Sequence, residues 1–176
     1  FISSKQIDLS KKNSYINLAK RISKESTVIF ISAKAPVKNL DMLSYNLKIL
    51  DNVSKAIIEK NIKQLIYISS DAVYSDSLMK IKENYQREPD NLHGMMHVIR
   101  ENYLKNLFGK KLCILRPTLI YGKGDPHNGY GPNKFVRLAK KNDDILLFGK
   151  GEELRDHIHI NDVVKIIYSA VVKNLR

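Results

Sequence analysis

The sequence predicts an α/β fold with a doubly wound parallel sheet. Short apolar runs alternate with segments of helical length, an order typical of right-handed β-α-β units. The run Leu65–Ile68 is rich in β-branched and aromatic residues, as expected for a central strand that is buried on both faces. Ser69, Ser70 and Asp71 follow it directly. Because open α/β sheets bind ligands at the carboxyl ends of their strands, this stretch is the first candidate for a functional site.

The other elements follow from hydrophobic periodicity and from turn residues. Strands are predicted at residues 5–9 (the end of a strand), 27–31, 65–68, 111–115, 145–148 and 157–160. Helices are predicted at residues 13–22, 41–60, 93–108, 133–141 and 163–172. The polar segments 71–92 and 121–132 are predicted as loops, and Asn161 and Asp162 as caps of the last helix.

The chain of 176 residues is long enough for one domain with its own core, residues 1–176. Within it, the loop-rich region 117–160 is predicted to form a small substrate lobe. The chain begins at Phe1 rather than at a Met, and we expect it to be a piece of a longer protein. A single cysteine, Cys113, excludes a disulfide framework and a multi-cysteine zinc site. Without a long apolar span or a signal peptide, the expected location is cytoplasmic, with no membrane partner.

The formal net charge of +12 raises the question of nucleic-acid binding. Lys and Arg are spread over the whole chain with no run longer than two, and no basic stripe is interleaved with aromatic residues. We therefore predict no nucleic-acid partner, and a nucleic-acid binder remains only a minor hypothesis. A basic surface also suits an anionic small molecule.

Five stretches together carry a family resemblance. They are Val28–Ala33, Asn46, Tyr67–Tyr74, Leu115–Gly122, and Phe148–Asp156 with His159–Asp162. In this order and spacing, the sequence resembles the extended short-chain dehydrogenase/reductase family, and specifically its NAD-dependent epimerase/dehydratase branch. The resemblance implies a Rossmann-like fold, NAD or NADP as cofactor, and a sugar or nucleotide sugar as substrate.

The resemblance also implies which residues contact the cofactor. They are Ser32, Ala33, Asn46, Ser69 and Pro117. The glycine-rich turn that brings a pyrophosphate to a helix N-terminus is absent, because Gly122–Gly124 and Gly149–Gly151 follow the wrong elements. The sequence therefore predicts a sheet that is incomplete at its N-terminus.

The family places a Tyr and a Lys four residues apart, so that the Tyr exchanges a proton with the substrate while the Lys holds the nicotinamide ribose. The matching positions here are His93 and His97. The resemblance then implies Ser70 as the residue that orients the substrate oxygen, His93 as acid or base, and His97 at the ribose. A second Tyr-x-x-x-Lys string, Tyr130–Lys134, is rejected because Gly131-Pro132 disfavours a helical turn there.

Two other interpretations of the histidine pair stay open. Histidines at positions i and i+4 of a helix can bind zinc, but no third ligand is evident nearby, and no metal site is predicted. The pair could also be partly exposed helix histidines without a function.

Arg155 stands at the position where the family uses an arginine to hold the phosphates of a nucleotide sugar. The resemblance therefore implies that Arg155 binds the substrate. A guanidinium suits a bidentate phosphate contact. The alternative is a surface ion pair between Arg155 and Asp156. Asn133 and Arg137, on the helix after the loop, are also expected to face the substrate.

The leading hypothesis is an NAD(P)-dependent epimerase, dehydratase or reductase that acts on a sugar or nucleotide sugar by hydride transfer. The alternative is a non-catalytic, ligand-sensing relative that keeps the dinucleotide pocket but has lost turnover with the Tyr/Lys pair. A homodimer of the complete protein stays open.

Overall fold

A computed structural model describes residues 1–76, 80–125, 131–147, 149–152 and 154–176. The chain divides into two units, Phe1–Arg116 with Ser169–Arg176, and Pro117–Tyr168. In the described part of the chain, none of the helices has the length and apolar character that a membrane crossing requires.

Helices and strands alternate through most of the chain. The helices are α1 (Ser14–Ala19), α2 (Leu40–Lys60), α3 (Leu92–Phe108), α4 (Asn133–Lys141) and α5 (Ile160–Val172). The strands are β1 (Thr27–Phe30), β2 (Gln64–Ile68), β3 (Leu112–Leu115), β4 (Leu119–Tyr121) and β5 (His157–His159). This order confirms the predicted α/β class.

The sheet of the first unit is parallel, with the strand order β1-β2-β3. Ile66 of the central strand lies opposite Ile29 on one side and Cys113 on the other. The prediction that residues 65–68 form a central strand is therefore confirmed. Since parallel strands end at the same edge, the residues that follow β1, β2 and β3 meet there.

The core of the first unit forms around β2 and α2. Leu65, Ile66 and Tyr67 have no exposed surface, and neither do Ala56 and Ile57 of α2. Removing such side chains from water contributes about 1.5–3 kcal/mol for each of the larger ones. This packing fixes the height at which β2 ends and hence the position of Ser69 and Ser70.

Two asparagines begin the long helices. The Asn39 side chain accepts a hydrogen bond of 2.9 Å from the backbone N–H of Met42 at the start of α2. Asn91 accepts one of 3.0 Å from Gly94 at the start of α3. Each bond satisfies one of the N–H groups that the first turn of a helix leaves unpaired.

The first unit is discontinuous in sequence, and Gln64 joins its two parts. The Gln64 side chain is fully buried at the start of β2. Its Nε2 donates hydrogen bonds to the carbonyls of Ala170, at 3.0 Å, and Leu175, at 2.8 Å. The end of α5 and the turn after it are thereby held to the central strand.

The second unit contains a two-stranded parallel sheet, in which Tyr121 of β4 lies opposite His159 of β5. The Tyr121 ring meets the rings of His157 and His159 edge-on, with centroids 6.3 and 5.2 Å apart. These contacts are the ordinary strand packing of alternate residues on one face.

Three predicted elements are wrong. Residues 5–9 form turns instead of a strand, because the Asp8 carboxylate binds the backbone N–H and the hydroxyl of Ser10. Residues 145–147 form no strand, and residue 148 lies outside the described residues. Asn161 and Asp162 lie inside α5, where Asp162 accepts a hydrogen bond from Lys165, instead of capping the helix.

One strand was not predicted. β4 lies at residues 119–121, just before and into the segment expected to be a loop, and it is only three residues long. The rest of the predicted loop 121–132 includes residues 126–130, which lie outside the described part of the chain.

Candidate active site

Polar side chains gather where β2 ends. Ser70 begins a single 3-10 turn at Asp71–Val73, and its hydroxyl accepts a hydrogen bond from the Ala72 backbone N–H at 3.1 Å. The same hydroxyl donates to Asp71 Oδ1 at 3.0 Å. Ser70 therefore has a local capping role as well as its predicted place at the carboxyl end of the central strand.

The start of α3 lies directly against this turn. A Cβ atom built on Gly94 would come within 1.9 Å of the Ala72 carbonyl oxygen and 2.6 Å of the Pro89 side chain. Only a glycine allows so close an approach. The neighbouring residue His93 is thereby placed beside Asp71.

His93 is held as a neutral imidazole. Its ring is partly buried, and Nδ1 is enclosed with no hydrogen-bond partner among the described residues. Burial lowers the pKa of His93 below its ordinary value, Asp71 opposes this shift, and Arg100 adds to it. Burial also raises the pKa of the Asp71 carboxyl. No described group fixes the His93 proton on one nitrogen, so the ring is suited to exchanging it.

His97 is one turn further along α3 and is buried more deeply. Its Nδ1 lies 2.7 Å from Tyr67 Oη, and its ring lies edge-on to His93 with centroids 4.9 Å apart. Burial, with smaller contributions from His93 and Arg100, lowers the pKa of His97 to about 3. His97 is therefore neutral at physiological pH and supplies no positive charge to the site.

Arg100 is the buried cation of this region. Its guanidinium has no exposed surface and lies 5.0 Å from the centre of the Phe30 ring. Nη1 donates to the Ser32 carbonyl at 2.9 Å, and Nη2 donates to the backbone carbonyl and side-chain oxygen of Asn46 at 2.8 and 3.0 Å. Arg100 thus ties the end of β1 to α2.

A second buried cluster on α3 surrounds Glu101. Ser69 donates to Oε1 at 2.6 Å, Arg116 binds both carboxylate oxygens at 2.8 and 2.7 Å, and Arg87 donates to Oε2 at 2.9 Å. Burial alone would raise the pKa of Glu101, but hydrogen bonds from Arg116 and Ser69 hold it below its ordinary value. Arg116 also binds Tyr74 Oη, whose ring is buried. We call Glu101, Ser69, Arg87 and Arg116 the Glu101 cluster.

The predicted cofactor residues differ in how accessible they are. Ser32 and Ala33 are exposed after the end of β1, and Pro117 is half-buried. Asn46 is fully buried, because its amide binds both polar groups of the Lys34 backbone and the Met42 carbonyl. Asn46 and Ser69 therefore have structural roles in the first unit, and their contact with a cofactor stays a prediction.

The predicted substrate residues lie in the second unit. The Asn133 amide donates to the Gly122 carbonyl at 3.0 Å and to Asp125 at 2.8 Å, and Arg137 donates to the Asp125 carbonyl at 3.0 Å. Both side chains hold the start of the loop after β4. Arg155 is exposed, and its backbone carbonyl meets the His157 ring at 3.0 Å.

The geometry bears on the two other interpretations of His93 and His97, a zinc site and partly exposed histidines without a function. The described residues contain no group of three or more His, Cys, Asp or Glu side chains that could hold a metal ion. His97 is buried and bound to Tyr67, unlike an exposed surface histidine. Of the rejected Tyr130–Lys134 string, Tyr130 lies outside the described residues, while Lys134 lies in α4.

Four residues of this region have no predicted role: Tyr67 and Asp71, which lie in the stretch predicted as the candidate site, and Arg100 and Glu101, which lie outside it. A signal was present in the sequence, because Arg100 and Glu101 follow His93 by seven and eight positions and so share its face of the helix. A buried helix face with two histidines and two charged residues is unusual, since such charges are buried only when other groups bind them.

A parallel sheet whose strands alternate with helices, with polar residues gathered at the carboxyl ends of the strands, defines an α/β protein. The model of the "NAD dependent epimerase/dehydratase family" matches residues 5–175. The chain therefore belongs to the NAD-dependent epimerase/dehydratase family, as the sequence resemblance implied.

Two curated relatives align with this chain over only part of their own length. A putative UDP-glucose 4-epimerase from Methanocaldococcus jannaschii is 29% identical over 121 residues, which cover 65% of this chain and 40% of the relative. An N-acetyl-alpha-D-glucosaminyl-diphospho-ditrans,octacis-undecaprenol 4-epimerase from Escherichia coli O157:H7 is 29% identical over 121 residues, with coverages of 66% and 35%. The chain thus spans less than half the length of these relatives.

Solved structures share the fold. A UDP-N-acetylglucosamine 4-epimerase from Methanobrevibacter ruminantium M1 superposes with a TM-score of 0.78 at 24% identity, covering 91% of this chain and 54% of the other. A UDP-glucose 4-epimerase from Thermotoga maritima gives a TM-score of 0.80 at 20% identity, with coverages of 92% and 56%.

Proposed function

We propose that the protein carrying this chain is an NAD-dependent epimerase or dehydratase that acts on a nucleotide sugar by reversible hydride transfer. The single observation that carries the proposal is the position of His93, a neutral imidazole close to Asp71, whose carboxylate accepts a hydrogen bond from Ser70 at the carboxyl end of β2. The named relatives, which are epimerases of nucleotide or lipid-linked sugars by their descriptions, support it. These descriptions do not favour the alternative hypothesis, in which this chain is non-catalytic and only senses a ligand.

The residues after β1 fit an NAD cofactor. Ser32 and Ala33 have small, exposed side chains, which leave the backbone accessible to a ligand, while Arg100 and Asn46 hold that backbone in place. We assign the cofactor contacts to Ser32 and Ala33 and to the imidazole edge of His97. When bound, NAD supplies a nicotinamide ring that takes up and returns a hydride.

His93 is assigned the proton transfer. An imidazole can accept a proton from a sugar hydroxyl and return it, and burial lowers the pKa of His93 below its ordinary value, which keeps the ring neutral and able to accept. Because Nδ1 is enclosed, Nε2 is the nitrogen that exchanges the proton. Ser70 orients the reacting oxygen, and the nearby Asp71 carboxylate stabilises the imidazolium that forms when His93 accepts the proton.

Substrate recognition is assigned to the second unit. The exposed Arg155 guanidinium suits the diphosphate of a nucleotide sugar, since it can bind two phosphate oxygens at once. Asn133 and Arg137 are assigned to the same substrate. A homodimer and a cytoplasmic location stay predictions.

The proposal is tested with the complete protein, NAD and a panel of UDP-glucose, UDP-N-acetylglucosamine and dTDP-glucose. Product formation is followed by NMR and the transient reduced cofactor by absorbance. Replacing His93 with Phe should lower turnover by at least about 10²-fold while NAD binding is kept, because a positioned acid or base typically contributes 10²–10⁴-fold. Met95→Leu, at an exposed neighbour on α3, is the matched control.

A second variant tests the alignment of the histidine pair with the Tyr/Lys pair. His93→Tyr combined with His97→Lys should retain or raise activity. Full activity of His93→Phe would remove His93 from the chemistry. Activity of the double variant alone, with an inactive natural protein, would establish the non-catalytic alternative.

A further inference from the structure

Arg100 is a buried charge, and its hydrogen-bond acceptors in the described part of the chain are uncharged oxygens of Ser32 and Asn46. Among the described residues, no acidic side chain forms an ion pair with it, and its Nε has no hydrogen-bond partner. The adjacent Glu101 carboxylate is fully engaged with Ser69, Arg87 and Arg116. A buried cation that is hydrogen-bonded but has no opposite charge to balance it is costly, so its presence here points to a role beyond packing.

The charge of Arg100 affects the pKa values of three ring side chains of the site, Tyr67, His93 and His97. Burial raises the pKa of Tyr67 to about 12, and Arg100 opposes that rise. Burial lowers the pKa values of His93 and His97, and Arg100 lowers both further. Asp71 opposes the shift at His93, and Glu101 opposes that at His97, but both rings remain neutral.

The Tyr67–His97 bond has a direction that Arg100 determines. Arg100 lies 5.0 Å from the centre of the Phe30 ring, which packs against the Tyr67 ring with centroids 5.4 Å apart, and its charge acts to lower the pKa of the Tyr67 hydroxyl. Because a guanidinium carries only N–H donors, the oxygen lone pairs of Tyr67 turn toward it. The Tyr67 hydroxyl stays protonated at physiological pH because of its raised pKa. Its proton is therefore directed to His97 Nδ1, 2.7 Å away. A neutral imidazole that accepts at Nδ1 carries its own proton on Nε2.

We propose that Arg100 is a positioning residue of this site, which acts through Tyr67 to present His97 as a neutral imidazole with its proton on Nε2. In this form, His97 donates one hydrogen bond and accepts none at Nε2. It therefore suits a ligand oxygen that needs a donor, such as a hydroxyl of the cofactor ribose. Only this last use rests on the proposed function, whereas the form of the ring does not.

The experiment measures the tautomer directly in the natural protein, without cofactor or substrate. Labelling of histidine with ¹⁵N distinguishes the two neutral tautomers and the charged form of each ring by its two-bond proton–nitrogen couplings. The His97 signal is the one lost in His97→Gln. We expect a neutral ring protonated on Nε2 throughout pH 5–8. A ring protonated on Nδ1, or one that titrates near pH 6.5, would overturn the proposal.

Two variants separate the positioning role from packing. Tyr67→Phe removes only the hydroxyl and should convert the single His97 tautomer into a mixture, while Tyr103→Phe, at an exposed tyrosine of α3, should leave it unchanged. Arg100→Gln should raise the pKa of both His97 and His93, and Arg100→Lys should keep both low. If Arg100→Gln does not fold, Tyr67→Phe still decides, since an unchanged tautomer there contradicts the proposal.

The outcomes remain distinguishable from those of the proposed function. If the His97 ring carries its proton on Nδ1, the role of Arg100 is rejected even if the enzyme transfers hydride. A correct tautomer in a protein that transfers no hydride rejects the proposed function and leaves the role of Arg100 in place.

Discussion

Two buried polar clusters lie within one turn of each other on α3, and they differ in how completely their groups are paired. In the Glu101 cluster, the carboxylate accepts four hydrogen bonds from Ser69, Arg87 and Arg116. In what we call the histidine cluster, consisting of His93, His97, Tyr67 and Arg100, both His93 Nδ1 and Arg100 Nε are enclosed without a described partner.

The difference indicates separate roles for the two clusters. Buried polar groups are nearly always paired, and fully paired networks hold elements of a fold together. The Glu101 cluster joins α3 to the ends of β2 and β3 and to the segment that contains Arg87. The histidine cluster combines unpaired buried groups with lowered histidine pKa values, and groups with shifted pKa values concentrate at functional sites, which favours this cluster as the place of chemistry.

The largest effect is expected from Glu101→Ala. It leaves the buried Ser69 and the partly buried Arg116 without their acceptor, and breaking a buried pair in this way costs about 3–5 kcal/mol of unfolding free energy. Urea denaturation measures the loss. Asp51→Ala, which removes an exposed ion pair with Lys55 on α2, should cost far less, because water screens such a pair. Equal losses for the two variants would contradict the structural role of the Glu101 cluster.

Acid should destabilise the protein through the histidine cluster. The pKa of His97 is about 3 in the folded chain and about 6.5 when unfolded. Between these values the unfolded chain binds the extra proton, so stability falls as pH decreases from 6.5, by up to roughly 1.4 kcal/mol per pH unit for one group. The fall is measured as the pH dependence of the urea midpoint.

His97→Gln tests the source of this acid effect. In this variant, the slope of unfolding free energy against pH should become shallower between pH 6.5 and 5. It should remain above zero, because the lowered pKa of His93 acts in the same direction. The raised pKa of Asp71 acts in the opposite direction, and the lowered pKa of Glu101 contributes only at more acidic pH. An unchanged slope in His97→Gln would show that His97 is not held neutral.

Gly94→Ala should separate α3 from the turn that carries Asp71. The added Cβ meets the backbone carbonyl of Ala72, which cannot move aside as a flexible side chain can. Overpacking of this kind costs about 1–3 kcal/mol. Unfolding free energy and turnover should both decrease, whereas Met95→Ala, at the next, exposed position, should change neither. A fully stable Gly94→Ala variant would contradict the close approach.

The smallest stability effect is expected from His93→Phe. The substitution removes a polar nitrogen that has no partner and leaves a ring of similar size, so unfolding free energy should stay within about 1 kcal/mol of the natural protein or rise. Together with the loss of turnover proposed above, this result would separate function from stability at one residue. A loss comparable to that of Glu101→Ala would erase the distinction between the clusters.

The sequence predicts the fold more completely than the site. The central strand, the long helices and the parallel order follow from local apolar patterns, and the structure confirms them. The strand expected at residues 5–9 fails because Ile7 and Leu9 alternate as in a strand while Asp8 bonds to Ser10 in a turn. β4 was missed because three residues carry little pattern, and its pairing with β5 joins residues about 38 positions apart.

The site was only partly predictable for a different reason. Ser70, His93 and His97 could be aligned with a family motif. Arg100 and Glu101 are charged helix residues, which ordinarily face water. Their burial depends on partners that come from β1, α2, β2 and β3, and no local pattern contains that information.

The hydrogen bonds of Gln64 have a consequence for biosynthesis. Its amide nitrogen is satisfied by the carbonyls of residues 170 and 175, which a ribosome produces more than a hundred residues later. The three strands of the first sheet therefore emerge before the acceptors that complete the central strand exist, although domains generally fold in order of synthesis. The second unit, residues 117–168, is translated within this interval. Of the two units, the first begins to emerge earlier but is completed later.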